Sequence, residues 1–294
     1  MIGIFRMGGK MHKETFSAAA SSIKEQTARP MTYSRSKDYS CVAIIPARYG
    51  STRFPAKLLV PILGKSLIQR TYENACRCEA LDNIVVATDD VRLFEHVRTF
   101  GGRAIMTSPT CYNGTERVAE AYRHYYLANE HRVEIVVNLQ GDEPCVEPSA
   151  IEAIVEALRA DPSAAMSTAI TPIRSMSEAL NSSVVKCVTD LNGHAIYFSR
   201  SLIPGNKNSK YDPTVPCYRH IGIYGFRPDF LSTYVKLPST PLQQAEDLEQ
   251  LKVLEHGYRI KTALVNSFSI GVDTPEDIGR LEEALQAHQP AQFI

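Results

Sequence analysis

The chain has no surplus of charge of either sign: 32 Lys and Arg stand against 32 Asp and Glu in 294 residues. Bulk attraction to nucleic acid or to an acidic membrane surface is therefore not expected, and any charge-driven binding must be local. No apolar stretch approaches the roughly 20 residues that cross a bilayer, so no stable membrane association is expected. The seven cysteines are odd in number and contain no Cys-x-x-Cys pair, with Cys76 and Cys78 only one residue apart. This argues against a disulfide framework or a zinc site and suits a reducing compartment. Cys41, Cys145 and Cys187 lie in or beside strand-like runs and read as core thiols.

Several chemical signatures are also missing. No Gly-x-Gly-x-x-Gly follows a strand, which removes the main support for a dinucleotide site. Gly64-Lys65-Ser66 resembles the end of a P-loop, but Leu59 stands where the first glycine must allow the tight turn. Neither His-Glu-x-x-His nor Gly-x-Ser-x-Gly is present, so metal hydrolysis and a serine nucleophile have no motif to rest on.

What is present begins with composition: 44% hydrophobic residues over this length suffice for a substantial core. Residues 1–40 stand apart, with seven Lys or Arg, three acids and only the short 16–20 apolar patch. They read as a disordered extension to a single domain over 41–294, with Met7, Met11 and Met31 leaving a downstream start open. Glu14, Glu25 and Asp38 speak against a transit peptide.

From residue 41 onward, short β-branched runs alternate with helical periodicity, the pattern of βαβ units around a largely parallel sheet. Strands are expected at 41–46, 83–88, 103–106 and 134–139. Helices are expected at 66–78, 91–100, 115–128 and 148–160. This half reads as a doubly wound, Rossmann-like α/β sheet. Residues 164–238 differ, with strand-like runs at 184–189, 195–199 and 221–226, a hairpin signal at Asn192-Gly193 and a polar, proline-rich loop at 204–217. An antiparallel excursion is expected there, then a helix over 243–256, a strand over 259–265 and a last helix over 274–286.

The densest chemical signal is the run 43–57, where a strand empties into a loop carrying Arg48, Arg53 and Lys57 without an acidic residue. Gly50 and Ser51 let backbone N–H groups approach a ligand, and three cations offset phosphate charge. The run reads as a triphosphate cradle, the alternative being a solvated basic turn. A second signal is Gln140-Gly141-Asp142, at the carboxyl end of an apolar strand where open α/β sheets bind ligands. A carboxylate there, beside a triphosphate, suits Mg²⁺, although Gly-Asp is also a common turn. Asp273 precedes a helix start that Thr274, Pro275 and Asp277 explain without it, which leaves it as a possible second metal ligand. Strict alternation places His220, Gly222 and Tyr224 on one face of a strand, a slot for a small polar ligand or simply a structural histidine.

Taken in order, Ile-Pro-Ala-Arg-Tyr-Gly-Ser-Thr-Arg-Phe-Pro-Ala-Lys (45–57), Val-Ala-Thr-Asp (86–89), Gly-Thr-Glu-Arg (114–117) and Gln-Gly-Asp-Glu-Pro (140–144) resemble the sugar-acid cytidylyltransferases. Tyr-Phe-Ser-Arg (197–200), Arg-His-Ile-Gly-Ile-Tyr-Gly-Phe (219–226), Leu-Glu-Gln-Leu (248–251) and Gly-Val-Asp-Thr-Pro-Glu-Asp (271–277) extend the resemblance over residues 41–284. The match is to those members that use 3-deoxy-manno-octulosonate (Kdo). Departures are Gly50 where alanine is frequent, Ala56 where glycine is frequent, and Asn113 where serine is frequent.

The resemblance implies a nucleotidyltransferase with CTP and Kdo as substrates and Mg²⁺ as cofactor. Arg48, Ser51, Arg53 and Lys57 match the family's triphosphate loop, Gln140 a substrate contact, and Asp142 and Asp273 the metal carboxylates. Arg200, His220, Tyr224, Glu249 and Gln250 match its sugar-acid pocket. Lys57, Arg48, Asp142 and Asp273 are expected to carry catalysis. A homodimer through the antiparallel excursion and a cytoplasmic location in a lipopolysaccharide-making cell are implied as well. The rival readings are a cytidylyltransferase for another sugar acid, such as sialic acid, and a non-catalytic nucleotide sensor on the same fold.

Overall fold

In the computed structural model, the described residues are 40–50, 54–207, 211–212, 214–266 and 270–287. The expectations for residues 1–39, for Ser51 and Arg53, and for part of the 204–217 loop lie outside them. The strands in chain order are β1 (Ser40–Ala47), β2 (Pro61–Ile62), β3 (Lys65–Ser66), β4 (Asn83–Thr88), β5 (Ala104–Met106) and β6 (Val133–Leu139). They continue as β7 (Met166–Pro172), β8 (Lys186–Thr189), β9 (Ala195–Ser199), β10 (Tyr218–Phe226) and β11 (Ile260–Leu264). The main sheet runs β11-β7-β10-β6-β1-β4-β5, with the β8–β9 hairpin attached to β10.

The pairs β6–β1, β1–β4, β4–β5 and β11–β7 are parallel, and β10 lies antiparallel between β6 and β7. This is the expected doubly wound, mostly parallel sheet with an antiparallel part. Its central strands are covered on both faces, which is why they read as unbroken apolar runs. Along β1, Cys41, Ala43 and Ile45 join the core on one face, while Val42 and Ile44 join the core on the other. Each fully buried isoleucine contributes about 1.5–3 kcal/mol relative to exposure.

Short polar residues set the starts of the helices. Ser66 Oγ accepts from Gln69 N at 3.2 Å and opens the Leu67–Ala75 helix, so Gly64-Lys65-Ser66 is a hairpin and a cap rather than a phosphate loop. Asp90 caps Val91–Thr99, Asn113 caps Gly114–Ala121, and Pro148 opens Pro148–Ala160.

Three sequence expectations require correction. β7 was not anticipated, because Ser167 and Thr168, both buried, interrupt its apolar run. The 115–128 segment is an α-helix only to Ala121 and continues as a π-helical turn over Tyr122–Tyr126 and a 3₁₀ turn over Leu127–Asn129. The single helix expected at 243–256 is two, Pro241–Glu246 and Glu249–Glu255, divided where Asp247 adopts φ 52°.

That division is held from β9. Arg200 donates from Nε to the Glu246 carbonyl at 2.8 Å and from Nη2 to the Asp247 carbonyl at 3.3 Å. The Glu246 carboxylate accepts from Ser199 Oγ at 2.6 Å and from Arg200 N at 2.9 Å. Side-chain donors thereby satisfy carbonyls at a helix end that an uninterrupted helix would have paired internally.

Candidate active site

A cavity of about 560 Å³ opens at the carboxyl ends of β1 and β6, the edge at which open α/β sheets bind ligands. Arg48, leaving β1, and Gln140, Gly141 and Asp142, leaving β6, line it together with Lys57, Asn113, Gly114, Arg117, Asp247 and Asp273. The two strand ends lie close at Gly141. A Cβ there would stand 3.2 Å from the Pro46 carbonyl oxygen and 3.3 Å from Ile68 Cδ1. Thr71 in the first helix donates to the Gly141 carbonyl at 2.9 Å and fixes this approach.

The described ends of the cationic loop meet. Ala56 N donates to the Tyr49 carbonyl at 3.0 Å, and Ala56, at φ 58°, turns the chain into the Lys57–Leu59 3₁₀ turn. Arg92 lies over the Tyr49 ring at 3.4 Å while gripping Asp90 through Nε and Nη2 at 2.9 and 2.6 Å, so Tyr49 is braced from the Val91–Thr99 helix. Arg48 is exposed.

Lys57 Nζ donates to Asp142 Oδ2 at 2.6 Å, to the Val272 carbonyl at 2.8 Å and to Asp273 Oδ1 at 3.3 Å. The carboxylates expected to hold metal thus converge on a single cation. Val272 N donates to the Asp142 carbonyl at 3.0 Å and ties their loops together. Asp277 accepts from Asp273 N at 2.9 Å and from Thr274 N at 2.8 Å, so the following helix start fixes the backbone of Asp273 and leaves its carboxylate directed elsewhere. Among the described residues, no group of three or more His, Cys, Asp or Glu is arranged to hold a metal ion.

Behind the cavity, a polar chain runs into the core. Gln140 Nε2 donates to Asn138 Oδ1 at 3.1 Å, and Asn138 Nδ2 donates to Thr115 Oγ1 at 3.0 Å. Thr115 in turn donates to Glu249 Oε2 at 2.8 Å, which also accepts from Tyr234 OH at 3.3 Å. Desolvation raises the Glu249 carboxyl above the ordinary range, against the lowering effect of these hydrogen bonds.

Beside Glu249, Tyr224 OH donates to Gln250 Oε1 at 3.2 Å, while the buried Gln250 Nε2 has no partner. A buried donor left open in this way is costly unless a ligand or water accepts from it. His220 and Tyr224 have ring centroids 5.6 Å apart, and both are buried. They meet as the alternation expects, although the β10–β7 register shifts between Ile221 and Tyr224. Thr168 fills the irregularity, 2.8 Å from both His220 Nε2 and the Ile223 carbonyl. Burial, with a smaller effect from Arg219, pushes the His220 imidazole down to about 3, so it is neutral near pH 7.

The structure therefore brings Arg48, Lys57, Gln140, Asp142 and Asp273 to one cavity. His220, Tyr224 and Gln250, all buried, and the half-buried Glu249 form an adjoining cluster linked to it through Thr115 and Asn138. Arg200 contacts the backbone of Glu246 and Asp247, on the segment that leads into Glu249. Arg117 and Asp247 are among the cavity residues that had no role assigned from sequence. Arg117, only 4% exposed, pairs with Asp89 at 2.9 Å and donates to Thr107 Oγ1 at 2.6 Å. Its signal was the Gly-Thr-Glu-Arg run itself. Asp247 carries no sequence signal, since it reaches the cavity through the helix division.

A doubly wound sheet with a cationic loop after its first strand and paired carboxylates at the same edge defines a nucleotide-transfer enzyme. The cytidylyltransferase family model matches residues 42–261, and the chain belongs to that family. It is 56% identical over 244 residues to the 3-deoxy-manno-octulosonate cytidylyltransferase of Protochlamydia amoebophila, covering 83% of this chain and 93% of the relative. It is 51% identical to the mitochondrial 3-deoxy-manno-octulosonate cytidylyltransferase of Arabidopsis thaliana, covering 83% of each. Among solved structures it resembles CMP:2-keto-3-deoxy-manno-octonic acid synthetase complexed with CTP, with a TM-score of 0.77 and 38% identity over 85% of this chain and all of the other.

Proposed function

We infer that this chain transfers CMP from CTP to the anomeric hydroxyl of Kdo, giving CMP-Kdo and pyrophosphate. The single observation that carries the reading is the cavity in which Arg48 and Lys57 face Asp142 and Asp273 at the carboxyl edge of the sheet. The sensor alternative is not favoured, since none of the described cations or carboxylates that transfer needs is missing. The product would supply activated Kdo to lipopolysaccharide synthesis, a cytoplasmic process.

In-line attack by the sugar oxygen on the α-phosphorus needs no covalent enzyme intermediate, so the chain's contribution is positioning and charge neutralisation. Arg48 and Lys57, with Ser51 and Arg53 of the same loop, bind the triphosphate and stabilise the pyrophosphate as it departs. Gln140 orients substrate at the cavity wall. Glu249, Gln250, Tyr224 and His220 shape the sugar-acid side, where Gln250 Nε2 offers its open donor to a sugar oxygen. Arg200 positions this cluster through the helix division.

Asp142 and Asp273 fit Mg²⁺: both already contact one cation, and two carboxylates leave room for the waters and phosphate oxygens that Mg²⁺ retains. When bound there, Mg²⁺ supplies charge neutralisation at the phosphate and acidifies the attacking hydroxyl.

Pyrophosphate release from CTP and Mg²⁺ with a panel of sugar acids tests the assignment; Kdo is the expected acceptor, and a preference for sialic acid would overturn it. The Asp142→Asn protein should keep its fold and lose turnover by about two orders of magnitude, as for loss of other strong transition-state contacts. Near-normal Mg²⁺-dependent rates would refute the metal role. The β8–β9 hairpin exposes Leu191 and Ile196 and is the surface proposed for a homodimer, which light scattering of the purified chain would detect.

A further inference from the structure

The position of the Lys57 ammonium does not match a phosphate ligand waiting for its substrate. Its three N–H donors are taken by Asp142 Oδ2, the Val272 carbonyl and Asp273 Oδ1, and its side chain is only 12% exposed. It fills the space between the two carboxylates that the functional reading gives to the metal. An ammonium and a divalent ion cannot occupy the same position between the same oxygens. Without a cation between them, Asp142 and Asp273 would repel each other.

We propose that Lys57 is a placeholder cation, which holds Asp142 and Asp273 together in the nucleotide-free protein and yields them to the metal when the triphosphate takes up its ammonium. This rests on the metal reading above and deepens it by setting the order of assembly. The lysine suits the task. Its charge is a point at the end of a flexible four-carbon stem, so it can exchange carboxylate for phosphate acceptors without moving the backbone. Its stem starts at the first residue of the Lys57–Leu59 turn, within the triphosphate loop itself. Two of its acceptors are carboxylates, which a triphosphate can replace in kind, and the third is a neutral carbonyl. The consequence is positive coupling: the nucleotide tightens metal binding, and the metal tightens nucleotide binding by the same factor. A metal ion alone must first displace Lys57 and so binds the free protein weakly.

The test uses Mn²⁺ as the probe and no nucleotide, with free Mn²⁺ followed by electron paramagnetic resonance and the fold checked by circular dichroism. Lys57→Met preserves the length of the side chain and removes its charge. It should bind Mn²⁺ at least about ten-fold more tightly than the wild type, and Lys57→Gln, which keeps a polar end, should do the same if methionine disturbs the fold. The gain should vanish in Lys57→Met/Asp142→Asn. If the folded single variants bind Mn²⁺ through Asp142 but no more tightly than the wild type, the placeholder role is wrong and the metal site stands. If Lys57→Met and Lys57→Met/Asp142→Asn bind Mn²⁺ equally, the metal lies elsewhere and both readings fall.

Discussion

Ala56 sits at φ 58° and ψ 18°, in the left-handed region where its Cβ crowds the backbone. Such a conformation costs an L-residue about 1–2 kcal/mol, and glycine would avoid that cost while losing about 0.5–1 kcal/mol through its freer unfolded chain. Ala56→Gly should therefore be stabilising by about 0.5 kcal/mol, which calorimetry would register as a rise in Tm of about 1–2 °C. A fall in Tm would show that the turn is held without strain. This is the position where glycine is frequent in the family, so the departure noted in the sequence has a conformational meaning that composition alone did not disclose. Asn113 is a milder departure, because its side chain caps the next helix by accepting from Glu116 N at 2.8 Å, a task serine also performs.

The carbonyls at the helix division at Asp247 are held by one side chain from outside both helices, that of Arg200. Arg200→Ala removes the donors to the Glu246 and Asp247 carbonyls and should loosen the segment that carries Glu249 and Gln250. Stability should fall by about 1–3 kcal/mol, the cost of leaving such acceptors unpaired. KM for the sugar acid should rise while KM for CTP holds, which steady-state kinetics with each substrate varied would resolve; an equal rise in both would contradict a role confined to the sugar side. Elements defined by local pattern were legible in the sequence. The bounds expected for β4 and for the Pro148–Ala160 helix match those observed, because a fully buried strand and a proline-started amphipathic helix announce themselves. The split helix, the register shift in β10 and all of β7 were not legible. Each depends on partners distant in sequence: Arg200 for the first, and the Thr168 hydroxyl against β10 for the others. The site divides in the same way. Arg48, Gln140 and Asp142 follow strand ends, whereas Glu249 and Gln250 came only through family resemblance, since nothing local marks a helix residue that faces inward.

Over the whole molecule, buried titratable groups govern the response to pH. The His220 imidazole is pushed down to about 3 from a value near 6.5, so its neutral form favours the folded state. The folded pKa is the depressed one. Its contribution is present above pH 6.5 and is lost as pH falls from there toward 3, reaching about 2 kcal/mol by pH 5. His220→Gln, which retains an N–H for Thr168, should lose less stability than the wild type between pH 7 and pH 5 in chemical denaturation, and parallel losses would refute the assignment. Glu249 acts in the opposite direction, because burial raises its carboxyl and weakens the fold as pH rises through the folded value. The antiparallel position of β10, between β6 and β7, has a further consequence during synthesis. β6 ends at Leu139 and β10 begins at Tyr218, so one edge of β6 emerges from the ribosome and waits for nearly eighty more residues before its partner exists. Through that interval the nascent chain presents an apolar, unpaired strand edge, the kind of surface that templates aggregation and that chaperones cover.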